Sequence, residues 1–292
     1  MTPKGSRPFS ASSAAATAAA TAPAVNDPLK AALALRAQGR LQEALDILSS
    51  PGEFVPDFYT LRGDLQLELG QVKEAAGSYF TVTVSAPDNI YAQCNLGMCL
   101  RRLERWEQAA EAFQKVLEAD AHRDQIRLEL GDCLLHLNRL EDALTCFDQC
   151  WSDAARRPAL FGKAVALQLL RRFDEAEASY ERVLTLDSKA EEAYANLIAM
   201  SMEVFDLERV QRYSQRLLDL NPRALAGLQG GALVAIERGE VEVAARNFFK
   251  IVETDADSIR ATGEESDGSI EYRVSRKVIE RLQETRALNT RS

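Results

Sequence analysis

The chain has 292 residues, of which 46% are apolar and 27% charged, and a formal net charge of −9. That balance suits a protein with a substantial buried core, and no run approaches the roughly 18 uninterrupted apolar residues of a membrane span, so bilayer insertion is not expected. Residues 1–26 carry Lys4 and Arg7 and no acid, and residues 259–292 carry seven bases and six acids, which leaves −12 on the residues between them; so acidic a body repels a phosphate backbone and argues against a nucleic-acid partner.

Residues 1–26 are mostly Ala, Ser and Thr, too poor in large apolar side chains to fold, and read as a disordered tail. Their basic start, Ala-rich run and Ala22-Pro23-Ala24 also offer an alternative reading as a weak export signal. From residue 27 to about 256 the chain repeats itself, with starts near Val25, Pro56, Ile90, Asp124, Arg157, Glu191 and Leu225. The stretch Ile90–Arg123 shows the unit best. Leu96, Gly97 and Leu100 share one face of a first helix, Trp106 marks the turn, and Ala109, Phe113 and Val116 line a second, so each unit predicts a helical hairpin.

The register holds at several positions. The eighth residue of successive units is Ala32, Gly63, Gly97, Gly131, Ala164, Ile198 and Ala232, and the twentieth is Ala44, Ala75, Ala109, Ala143, Ala176, Val210 and Ala244. Small residues there let two helices approach, and Leu48, Tyr79, Phe113, Phe147, Tyr180 and Phe248 at the twenty-fourth position fill the space left. Gly39, Gly70, Asn138 and Gly239 suit a left-handed turn between paired helices. Pro87 and Pro222 block continuation of a second helix. Pro51-Gly52 shortens the first unit, and a residue is missing from the connection at 153–156. The sixth unit departs in a correlated way. Ile198 and Val210 are large where neighbours are small, and Ser214 is small where neighbours carry a ring, so Tyr213 is expected to supply the ring and the interface between units five and six to weaken. An acidic linker, 257–269, then leads to an amphipathic helix over 270–292, with Val274, Val278 and Leu282 on one face, expected to cap the array.

Nothing in the chain predicts catalysis. There is no phosphate-cradling glycine loop and no nucleophile elbow, and His122 and His136 lack a serine or cysteine in a nucleophile-like setting. Cys94, Cys99, Cys133, Cys146 and Cys150 are odd in number, show no C-x-x-C pair and fall at helical positions, so they read as core thiols in a reducing compartment, with no metal site and no cofactor. The expected localisation is cytoplasmic.

A period of 34 with a Leu-Gly pair, then Ala, then an aromatic four residues later, resembles the tetratricopeptide repeat. The resemblance implies an all-α, right-handed superhelical solenoid of about seven hairpins. It implies a non-catalytic scaffold, adaptor or assembly chaperone holding a peptide or amphipathic helix of a partner protein in a concave groove. A structural subunit assembling through its convex face, or an accessory of a partner enzyme, is the alternative. In this family the groove is met by the second, fifth, ninth, twelfth and thirteenth positions. Carried onto this chain, they give Tyr91, Met98, Arg101 and Arg102, then Leu128, Asp132, Leu135 and His136, then Phe161, Val165, Gln168 and Leu169. The implied groove is apolar in the middle, with a cationic lip at Arg101 and Arg102 and an acidic one at Asp57, Asp64 and Glu68. The Lys and Asn pair with which some relatives clamp acidic chaperone tails is missing, and of the asparagine ladder of the sugar-transferase arrays only Asn95 and Asn196 are present.

Overall fold

The computed structural model describes residues 27–48 and 55–254. Among them lie fourteen α-helices and no strand. In chain order they are α1 (Pro28–Ala37) and α2 (Leu41–Ile47), α3 (Pro56–Glu68) and α4 (Val72–Ser85), α5 (Ile90–Arg102) and α6 (Trp106–Ala119), and α7 (Asp124–His136) and α8 (Leu140–Asp148). They continue with α9 (Asp153–Leu169) and α10 (Phe173–Leu186), α11 (Glu191–Glu203) and α12 (Leu207–Leu220), and α13 (Leu225–Glu237) and α14 (Val241–Thr254). The N-terminal tail, the Pro51-Gly52 break, the acidic linker and the C-terminal helix expected from the sequence lie outside the described residues.

The turn inside each hairpin follows one rule. The fifteenth residue of every repeat has left-handed backbone: Gly39, Gly70 and Gly239 at φ near 75°, and Glu104, Asn138, Arg171 and Phe205 between 56° and 59°. Glycine adopts this conformation without steric cost, whereas Glu104, Arg171 and Phe205 accept strain of about 1–2 kcal/mol each. The next residue donates its N–H back into the first helix, as in Arg105 to Leu100 O at 2.9 Å and Arg172 to Leu167 O at 2.9 Å, and so satisfies carbonyls that a helix end leaves open. The hydrogen bond explains why a non-glycine residue is tolerated there.

The chain divides after Ala92 into two compact units. In the first, Ala32, Leu35, Ala44, Leu45, Leu48, Leu61 and Leu65 form one core, and Asp27 caps α1 by accepting from the backbone N–H groups of Leu29 and Lys30. Gly63 lies against the ring of Tyr79, where a Cβ would come within 2.8 Å of the ring. The Tyr79 hydroxyl then reaches Asp64 Oδ1 at 2.6 Å, and Tyr91 donates to the same oxygen at 2.9 Å. Arg36 pairs with both Asp64 and Glu68. Two of the three residues of the expected acidic lip are thus engaged by a single arginine within this unit.

In the second unit the core runs from Leu160 through Tyr180, Leu197 and Tyr213 to Val234. Gly97 lies under Phe113, and Gly131 and Gly162 lie on Phe147, with projected Cβ-to-ring distances of 2.6, 2.6 and 2.5 Å. Phe147, the twenty-fourth residue of its repeat, therefore sits between the eighth of its own repeat and the sixth of the next. Phe248, in the last described hairpin, is half-buried.

Two local expectations change. The fifth repeat's first helix begins at Asp153 rather than near Arg157 and carries Pro158 inside it, while α8 ends early at Asp148. The connection is therefore Gln149–Ser152. It is held by Asp124, whose Oδ2 accepts from Trp151 N at 3.1 Å and Ser152 N at 2.7 Å and whose Oδ1 pairs with Arg127 at 3.1 Å. Burial alone would push this carboxyl up, but the hydrogen bonds from Ser152 and Trp151 and the Arg127 charge hold it below the ordinary carboxylate value. In the sixth repeat Tyr213 is fully buried, yet its hydroxyl points back to Glu177 and Glu181 of α10 rather than into the space beside Ser214. Gly230 closes on Ser214 instead, its projected Cβ 2.1 Å from Oγ.

Candidate partner-binding groove

Within the second unit α9 packs on both α7 and α8, and an open concavity of about 740 Å³ forms there. Of the residues carried over from the resemblance, Arg101, Leu128, Asp132, Leu135, His136, Phe161, Val165 and Leu169 line it. They meet because positions five, nine, twelve and thirteen stack one turn apart on a helix, and α7 and α9 present these stripes to the same space. Leu169 is 55% exposed although large and apolar. Phe161 has two roles, since it lines the concavity and its ring also stands edge-on to Tyr180 with centroids 5.7 Å apart. His136 lies flat on Trp106, centroids 3.9 Å apart and planes within 5°.

Tyr91, Met98, Arg102 and Gln168 are not among the lining residues. Tyr91 belongs to the first unit, where it hydrogen-bonds Asp64. Gln168 accepts from the Tyr180 hydroxyl at 2.9 Å, and Asn196 donates to the same oxygen at 3.0 Å. Asn196 thus holds a core phenol, and burial raises the Tyr180 pKa above its ordinary value. Sequence reasoning missed Gln125, Glu129, Phe147, Arg157, Pro158, Gly162 and Glu192, which also line the concavity. The signal for Arg157 and Pro158 was the early start of α9, hidden because a proline usually marks a helix boundary.

The charged rim is organised as ion pairs. Arg101 Nε lies 2.8 Å from Glu129 Oε2 with its N–H not aimed at that oxygen, and Nη1 donates to Asp132 Oδ2 at 3.3 Å. Arg157 Nη2 reaches Glu192 Oε1 at 2.5 Å and Asp187 Oδ2 at 3.2 Å. The cationic lip expected at Arg101 is thus already engaged. The ion pairs span roughly one repeat, which is why each arginine looked free in its own helix.

Chemically reactive groups are muted. All five cysteines are free thiols, and burial pushes Cys99 and Cys150 up to about 11 and Cys133 up to about 12. A thiol so raised supplies little thiolate near neutrality. Among the described residues no group of three His, Cys, Asp or Glu side chains is placed to hold a metal ion, and no helix is long and apolar enough to cross a membrane.

Tetratricopeptide-repeat family models match residues 100–167 and 158–190. No match is found among curated proteins. Among solved structures, the C-terminal part of a TPR repeat-containing protein from Cytophaga hutchinsonii is similar over 81% of this chain and all of its own length, with a TM-score of 0.64 and 13% identity. The pilF protein of Pseudomonas aeruginosa covers 75% of this chain and 95% of its own, at a TM-score of 0.56 and 16% identity. PilW, described as a widely conserved type IV pilus biogenesis factor, covers 69% and 94%, at 0.55 and 19%. At these identities the structures bear on fold alone, and with the matched repeats at residues 100–190 they show that the chain has the tetratricopeptide-repeat fold.

Proposed function

We propose that the protein is a non-catalytic scaffold, acting as an adaptor or assembly chaperone, which holds an apolar helical or extended segment of a partner protein in the groove between α7 and α9. One observation carries this reading. Leu128, Leu135, Phe161, Val165 and Leu169 converge on one open concavity, with Leu169 mostly exposed, and a contiguous apolar surface of this kind marks a site that something covers. Ion-paired rim charges and thiols of raised pKa favour binding over chemistry. The net charge of −9 disfavours nucleic acid, and five free thiols fit a reducing, cytoplasmic setting.

Leu169→Ser is the cleaner test because Phe161 also packs on Tyr180 and its loss mixes binding with stability. Affinity capture from the native cell with the wild-type chain and with Leu169→Ser, at equal melting temperature, is expected to lose at least one protein with the substitution. An identical set of captured proteins defeats the groove reading. For a purified partner, Phe161→Ala is expected to cost about 2 kcal/mol of affinity, roughly thirtyfold in Kd.

A further inference from the structure

We infer that the segment taken by this groove is cationic, with Lys or Arg flanking its apolar anchors; the inference rests on the groove reading above. Its carrier is the imbalance of charge at the rim. Two guanidinium groups, Arg101 and Arg157, line the concavity with three carboxylates, Glu129 and Asp132 beside the first and Glu192 beside the second, and Asp187, outside the lining, is a second partner of Arg157. Each arginine is outnumbered two to one, so the rim keeps unneutralised negative charge beside the apolar floor. Asp132 and Glu192 remain open to solvent, with side chains 43% and 51% exposed, and are able to accept further donors. An acidic segment would meet two carboxylates beside each arginine and be repelled by them, whereas a basic one adds to the existing pairs. The surrounding body, acidic overall, steers the same class of partner toward the surface.

The test uses two synthetic amphipathic 16-residue peptides with the same Leu and Phe face, one flanked by Lys and the other by Glu, titrated by fluorescence anisotropy against the full chain. At low salt the Lys peptide is expected to bind about tenfold more tightly, and the preference to shrink to about threefold or less at high salt, because exposed pairs are individually weak and screened. Glu129→Gln combined with Asp132→Asn is expected to erase most of the preference, and Leu169→Ser to weaken both peptides. Equal binding, or tighter binding of the Glu peptide, overturns the charge assignment and leaves the groove reading intact. A Lys preference unmoved by the rim substitutions also overturns it, since the charge would then lie elsewhere. Peptide binding insensitive to Leu169→Ser, or binding of neither peptide, defeats the groove itself. Binding seen only after residues 270–292 are removed assigns the groove to the chain's own C-terminal stretch and overturns the proposal.

Discussion

The boundary between the fourth and fifth repeats and that between the sixth and seventh solve one packing problem in opposite ways. At the first, the Phe147 ring fills the space between Gly131 and Gly162, and the nearby connection is pinned by the buried Asp124–Arg127 pair. At the second, Ser214 replaces the ring, the methyl groups of Ile198 and Val210 fill part of its volume, and Gly230 moves onto the serine. The lesson is that the constraint acts on the sum of three side chains and not on any one of them. Close packing penalises both a void and an overlap, so a large eighth residue and a small twenty-fourth residue compensate.

The comparison breaks most clearly at the ring. Phe147→Ala is expected to destabilise by about 3–5 kcal/mol, the usual loss for a buried aromatic, read as a fall in the denaturant midpoint. A loss below about 1 kcal/mol would mean the helices collapse into the gap. Asp124→Ala is expected to cost about 3 kcal/mol, as for breaking a buried ion pair, by leaving the Arg127 charge without its carboxylate and freeing the 149–152 connection.

Overpacking comes next. Gly162→Ala and Gly230→Ala should each cost about 1–3 kcal/mol, since a Cβ would stand 2.5 Å from the Phe147 ring in one and 2.1 Å from Ser214 Oγ in the other. Ser214→Ala should rescue part of the second and none of the first, as measured by a double-mutant cycle. Acid sharpens the contrast in the same way. The Asp124 carboxyl is held below its ordinary value, so its stabilisation is present above the unfolded pKa, near 4, and is lost as pH falls through the folded value. The melting temperature of wild type should therefore fall more steeply below about pH 4 than that of Asp124→Asn.

The smallest effects are gains. Ser214 Oγ is buried without a hydrogen-bond partner, so Ser214→Ala alone should be neutral or stabilising by up to about 1 kcal/mol. Phe205→Gly, at a left-handed position with an exposed ring, should gain a similar amount, the relief of strain exceeding the added chain entropy. A loss in either case would mean that the side chain makes a contact worth more than the strain or desolvation it causes.

Most of the fold was legible in sequence because the repeat imposes the same small and large residues at the same helical positions, and packing between neighbouring helices depends on little else. The all-α class, the hairpin register and the turn glycines follow from a periodicity of 3.6 residues nested in one of 34, whereas the stripe of Leu128, Leu135, Phe161, Val165 and Leu169 came from the family resemblance. Tertiary structure alone decided what depends on partners about a repeat away. Arg101 and Arg157 are engaged by carboxylates of neighbouring helices, Asn196 serves Tyr180, Tyr213 turns toward α10, and Asp124 holds a connection 27 and 28 residues downstream. Helical periodicity places a side chain on a face, but a hydrogen bond or ion pair is set by distances of about 3 Å, and those are fixed only when the hairpins stack.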